Sequence, residues 1–128
     1  MTALRPGRVA EILGVSVDTV RRWADDGRLD TVRTEGGQRL VDGASVARFL
    51  VAQRPDEGAS PQSARNRFAG IVTRIERDGL AAIVEIQAGP HRVVSMITRE
   101  AADDLGLEVG SVATAVVKAT NVIVEGGA

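Results

Sequence analysis

The apolar positions of this chain change period once. Up to Gln53 they recur every three or four residues, as on one face of a helix; from Phe68 they alternate with polar residues, as in half-buried strands. In the first stretch, Val9, Ile12 and Leu13 follow Pro6, which suits a helix start, and Gly14 is a stop. Ser16 is placed to N-cap a second helix, Val17 to Asp26, on which Val20, Trp23 and Ala24 share one face. Gly27 ends that helix, and Leu29 folds back onto the core. Residues 31–41, TVRTEGGQRLV, predict two short strands around Glu35-Gly36-Gly37. Residues 42–53 predict a third helix with Val46, Phe49 and Leu50 inward.

The alternating part predicts five strands. The first runs from Phe68 to Arg77, carrying Ile71 and Ile75, and turns at Asp78-Gly79. Leu80 to Gln87 and His91 to Ile97 follow, then a short helix, Arg99 to Leu105, with Thr98 as its cap. Val112 to Lys118 is the fourth strand and Val122 to Glu125 the last. Helix, turn, helix, hairpin and helix is the order of a winged helix-turn-helix. Five strands with a helix between the third and fourth is the order of an OB-fold. The expected fold class is α+β: a winged helix-turn-helix at 1–53, then a small OB-fold-like five-stranded β-barrel at 63–126. The stretch between them, 54–62, holds two prolines and a glycine without apolar periodicity, which predicts a flexible linker.

Composition narrows the function. The longest apolar runs are about five residues, too short to cross a bilayer, so no membrane partner is expected. The start, MTALRPGRVAEIL, lacks the apolar segment of a signal peptide, and there is no cysteine; a cytoplasmic protein without disulfides or thiolate metal sites is expected. No Ser-His-Asp, Cys-His or metal-ligand grouping is visible, which predicts a non-enzyme with no catalytic or metal site. His91, the single histidine, is expected to be exposed. The barrel region has one Phe and neither Tyr nor Trp, which argues against stacking on single-stranded nucleic acid. The net charge of −1 is no polyanion signature, so DNA binding requires a local patch; residues 1–54 hold nine Arg against seven acids.

In helix-turn-helix geometry the second helix enters the major groove of double-stranded DNA by its N-terminal half. That nominates Ser16, Asp18, Thr19 and Arg22 for base edges or phosphates, with Arg21 beside them. Gln38 and Arg39 lie just past the tip of the wing, and Arg5 and Arg8 are placed for phosphates. The plainer reading is a set of solvated arginines on a small helical domain, with Trp23 in its core. The run RVAEILGVSVDTVRRWADDGRL with its GGQRLV wing resembles the MerR-type and excisionase-like DNA-binding domains.

SARNRFAGIV, ITREAADDLGLEVGS and VVKATNVIV resemble, in order and spacing, the three signatures of the Mop (molbindin) domain, a relative of TOBE domains. The resemblance runs from Ser63 to Val124. It implies molybdate or tungstate as ligand, bound between subunits of a homo-oligomer, from dimer to hexamer, built through the barrels. A tetrahedral dianion is best held by many directed donors. Ser63 offers a hydroxyl and Arg65 a guanidinium. Lys118, the one lysine beside fifteen arginines, offers an ammonium, and the backbone of Ala119 and Thr120 offers N–H groups. The resemblance also assigns Thr98, while Ala101 stands where relatives often carry Ser. Each has a structural reading: Ser63 as a turn residue, Thr98 as a helix cap, Arg65 as an ion-pair partner, Asn66 as purely structural. The combined expectation is a one-component transcriptional regulator responding to oxyanion. A molybdate storage or buffering protein, and an architectural DNA-binding protein whose barrel only oligomerises, stay open.

Overall fold

The computed structural model describes residues 2–54 and 66–127; Met1, residues 55–65 and Ala128 lie outside it. The chain divides into two compact units, Met1–Gly58 and Ala59–Ala128.

In the first unit, α1 (Pro6–Leu13) ends on Gly14, whose φ of 68° is the left-handed conformation glycine adopts freely. One turn later α2 (Val17–Asp25) begins, with the Ser16 hydroxyl accepting from the Thr19 N–H at 3.1 Å. Strands β2 (Thr31–Arg33) and β3 (Arg39–Asp42) form the hairpin, Thr31 opposite Val41 and Arg33 opposite Arg39. Helix α3 (Gly43–Gln53) starts on the Asp42 side chain, which accepts from the Ala44 N–H. A short strand absent from the pattern, β1 (Ala3–Leu4), pairs with β3 on its other side, giving the sheet order β1-β3-β2.

The core is Val9, Ala10, Val20, Leu29, Val41 and Val46, with Trp23 and Phe49 packed on it, ring centroids 4.8 Å apart. Trp23 is therefore a packing residue. Leu50, expected inward, is 43% exposed. The buried stripe of α3 is Ser45, Val46 and part of Phe49, and Leu50 falls just past its edge. Ser45 is buried without strain: its hydroxyl donates to the Asp42 carbonyl and accepts from the Asp30 N–H.

The second unit is an antiparallel curled sheet in the order β6-β5-β4-β7. Its strands are β4 (Asn66–Asp78), β5 (Ala81–Ala88), β6 (His91–Thr98) and β7 (Val112–Val117), with α4 (Arg99–Asp104) between the last two. β4 is long enough to pair twice, with β7 over 66–71 and with β5 over 71–78. Within the pairing with β5 the register slips between Val72 and Arg74, a bulge that inverts the alternation beyond it. Val72 and Ile75 consequently both face the core, while Ile71 is 51% exposed. Where β4 changes partners, Gly70 passes so close to β5 that a Cβ would lie 2.1 Å from the Gln87 carbonyl oxygen.

The expected fifth strand, Val122–Glu125, is not formed. Ala119–Asn121 make one turn of 3-10 helix, and residues 122–127 carry no regular structure, leaving Ile123 and Val124 almost fully exposed. A strand exists only with a paired neighbour, and the described residues offer this segment none. The four strands leave β6 and β7 as open edges around an apolar cavity of about 470 Å³, lined by Val84, Ile86, Ile97, Ala113 and Ala115 among others. The core beneath is small: Val72, Val84 and Ile86, flanked by Ile75, Ile97 and Leu107.

Candidate functional site

Two surfaces carry the nominated residues, one on each unit. On the first, helix capping and hairpin geometry fix most of the side chains. The Ser16 hydroxyl is engaged with Thr19 twice, through the cap and through a 2.9 Å bond to the Thr19 hydroxyl. That pair shapes the start of α2 before any ligand arrives. Asp18 and Arg21 lie 3.8 Å apart on its solvent side, both well exposed, and Arg22 is exposed one residue on. Arg5 stands at the N-cap of α1 without a side-chain cap bond, and Arg8 is paired with Glu11 at 3.0 Å.

The hairpin tip is held by Thr34, whose N–H donates to the Gln38 carbonyl and whose hydroxyl accepts from the Gln38 N–H. Arg33 braces the same turn by donating to the Gly37 carbonyl at 2.8 Å. Arg39 does not project freely from the hairpin: it donates to the Asp25 carboxylate at 2.7 Å. Arg33 and Asp25 were invisible as participants in the sequence, because the hairpin register brings the first beside Arg39 and the tertiary fold the second.

On the second unit, Ser63 and Arg65 lie outside the described residues. Asn66, the first described residue after them, stands opposite Val117 in the β4–β7 ladder, and its side-chain amide donates to the Val117 carbonyl at 3.2 Å. The start of β4 and Lys118 are thus neighbours within one chain. Lys118 itself is exposed and caps the 3-10 turn with its carbonyl, which accepts from the Asn121 N–H at 2.9 Å. The N–H groups of Ala119 and Thr120, in the first positions of that turn, have no partner within it. An ammonium beside two N–H donors with no partner in the turn is an anion-type donor set.

Thr98 is elsewhere. It pairs with Ala81, which pairs with Asp78 at the far end of β4. Lys118 is at the Asn66 end, and the 13 residues of β4 between them would span about 40 Å if straight. In the register, Thr98 and Lys118 thus lie toward opposite ends of β4. The Thr98 hydroxyl caps α4, accepting from the Ala101 N–H at 3.0 Å, so the helix-cap role is present in the structure. Ala101, partly buried, adds no side-chain donor there.

The strongest electrostatic perturbation lies away from both sets. The Glu85 carboxylate, with its side chain only 12% exposed, is held below the usual glutamate range by the Arg92 hydrogen bond. Burial opposes this, and the charges of Arg92 and Arg74 add to it. Both arginines lie on the strands flanking β5, so this is a cross-strand charge cluster on the sheet. Among the described residues there is no acidic, His or Cys group able to hold a metal ion, and no helix long and apolar enough to cross a membrane.

Residues 62–124 match the family model described as TOBE domain, and residues 5–41 match that of the MerR family regulatory protein. Over 63 residues, 48% of this chain, the sequence is 44% identical to a probable molybdenum-pterin-binding protein of Haemophilus influenzae, covering 91% of it. It is 43% identical over 63 residues to the molybdenum transport protein ModE of Herbaspirillum seropedicae, but spans only 23% of that protein's length. Among solved structures, a molybdate binding protein from Sporomusa ovata superposes with a TM-score of 0.50 at 30% identity, over 52% of this chain and all of that one.

Proposed function

We propose, from the premise that this chain belongs through residues 62–124 to the TOBE-domain family of the molybdenum-pterin-binding proteins, that it is a cytoplasmic one-component regulator that binds double-stranded DNA through residues 1–53 and responds to molybdate. Residues 1–53 act as a winged helix-turn-helix and 63–126 as the anion-binding barrel, with 54–62 between them. The observation that carries the anion half is the junction of Asn66 with Val117, which sets Lys118 and the donors of Ala119 and Thr120 beside the strand that follows Ser63 and Arg65. These groups bind the dianion by charge and directed hydrogen bonds; tungstate, of the same charge and shape, is the second ligand.

Assembly follows from the same unit. Leu80 is 91% exposed, Met96 75%, Val112 83% and Ile123 95%. Exposed large apolar side chains of this kind on a small sheet with open edges support association of several barrels. With Thr98 and Lys118 at opposite ends of β4, a site that uses both draws them from different subunits. For regulation the anion must bind the DNA-competent and incompetent assemblies with different affinity. Ala101 favours a second reading, in which the barrel assembles the protein and DNA binding ignores the anion.

Titration calorimetry with molybdate, tungstate and sulfate tests the anion half. Tight molybdate and tungstate binding is expected, with none for sulfate and loss of binding in both Lys118→Ala and Arg65→Ala. No heat with any of the three would leave the assembly-only reading.

A further inference from the structure

Asp25 and Arg39 stand 14 positions apart in sequence, one at the end of α2 and the other at the start of β3. Their side chains meet at 2.7 Å. The Arg39 side chain is 29% exposed against 64% for Arg21, so it lies along the protein where Arg21 extends from it. Its partner across the hairpin is another arginine: Arg33 stands directly opposite Arg39. Like charges on directly opposed strand positions destabilise a hairpin. Here the two guanidinium groups are drawn to separate acceptors. Arg33 turns to the Gly37 carbonyl of its own turn, and Arg39 turns to Asp25 on the neighbouring helix.

We infer that Asp25 is a positioning residue for DNA binding: through Arg39 it fixes the β2–β3 hairpin at one angle to α2. This rests on the DNA-binding reading above, in which α2 occupies the major groove and the hairpin lies against the backbone or minor groove. The two elements must meet one duplex together, so the angle between them sets whether both contacts form at once. Arg39 is then a strut and not a phosphate ligand. The sign of the electrostatics separates the two roles. A carboxylate near a polyanion opposes binding, so removing an idle Asp25 would tighten it. Removing an Asp25 that holds the wing weakens it, despite the favourable change in charge.

The experiment uses the full chain and the duplex that the wild-type protein enriches from a random-sequence pool, read by fluorescence anisotropy across a salt series. Asp25→Asn is expected to weaken binding about twofold to fivefold, the range an exposed ion pair supplies. Arg39→Gln is expected to weaken it comparably with an unchanged salt slope, and the double variant to be no weaker than the worse single one. Asp25→Arg combined with Arg39→Asp is expected to recover part of the loss. Melting curves of each variant confirm that it is folded. Tighter binding by Asp25→Asn would overturn the inference, and so would a salt slope reduced by about one per bound subunit in Arg39→Gln, which marks a phosphate contact. A wild-type protein that enriches no duplex would overturn the DNA-binding reading itself, an outcome distinct from the failure of the pair alone.

Discussion

Asn66 and Val117 face each other where β4 meets β7, and the Asn66 amide donates to the Val117 carbonyl at 3.2 Å across 51 residues of sequence. This bond ties the segment that follows Ser63 and Arg65 to the one that leads into Lys118. Its loss leaves a half-buried carbonyl with one partner fewer. Asn66→Ala is expected to lower stability by about 1 kcal/mol, seen in thermal or urea unfolding. It is also expected to weaken molybdate binding in calorimetry, because Lys118 loses its fixed neighbour. Asn66→Asp is expected to weaken binding further, since a carboxylate cannot donate to the carbonyl and repels an anion.

Glycines at two positions are expected to respond in opposite directions to the same change. A Cβ on Gly70 meets backbone, 2.1 Å from the Gln87 carbonyl oxygen, so β4 and β5 would have to separate. Gly70→Ala is expected to destabilise the second unit by about 1–3 kcal/mol, the range of overpacking. Gly7 lies in the first turn of α1 with nothing within 4 Å of the added carbon. Gly7→Ala is expected to stabilise the first unit by about 0.5 kcal/mol through helix propensity and a less free unfolded chain. Calorimetric unfolding of the two variants beside the wild type checks both.

Glu85 gives the second unit a defined acid sensitivity. Its carboxyl sits below the ordinary value of 4.5 because Arg92 hydrogen-bonds to it and Arg92 and Arg74 are charged nearby, against the opposing effect of burial. The native state therefore holds the Glu85 proton more weakly than the unfolded chain does. The resulting stabilisation is complete above the ordinary glutamate value and is lost as pH falls through the lowered native one. Glu85→Gln is expected to melt earlier than wild type near neutrality, and the gap is expected to narrow on acidification below 4.5. A gap that stayed constant with pH would assign the effect to packing alone.

What the sequence revealed depended on how local each feature was. Gly14 after Leu13, Ser16 before Val17 and the return of Leu29 to the core are decided within a few residues, and all are in the structure. Features decided by pairing were not legible. The slip between Val72 and Arg74 puts Ile75 on the same side as Val72 while Ile71 faces outward, which simple alternation could not anticipate. Residues 122–125 read as a strand from their apolar run, yet a strand requires a partner, and none is supplied among the described residues. Arg39 looked like a free wing cation because Asp25 is adjacent to it only in space. Of the candidate anion site, residue types were readable, but the placement of Thr98 and Lys118 at opposite ends of β4 needed the register.

A regulator of this kind must couple oxyanion to DNA within one chain. The direct measurement is the affinity of the full chain for its enriched duplex, with saturating molybdate, with sulfate at the same ionic strength, and with neither, repeated on Lys118→Ala. The expected result is an affinity that changes with molybdate alone, and a Lys118→Ala protein that binds DNA as the anion-free wild type does whatever anion is present. Equal DNA affinity under all three conditions, in a protein that calorimetry shows to be loaded with molybdate, would contradict it.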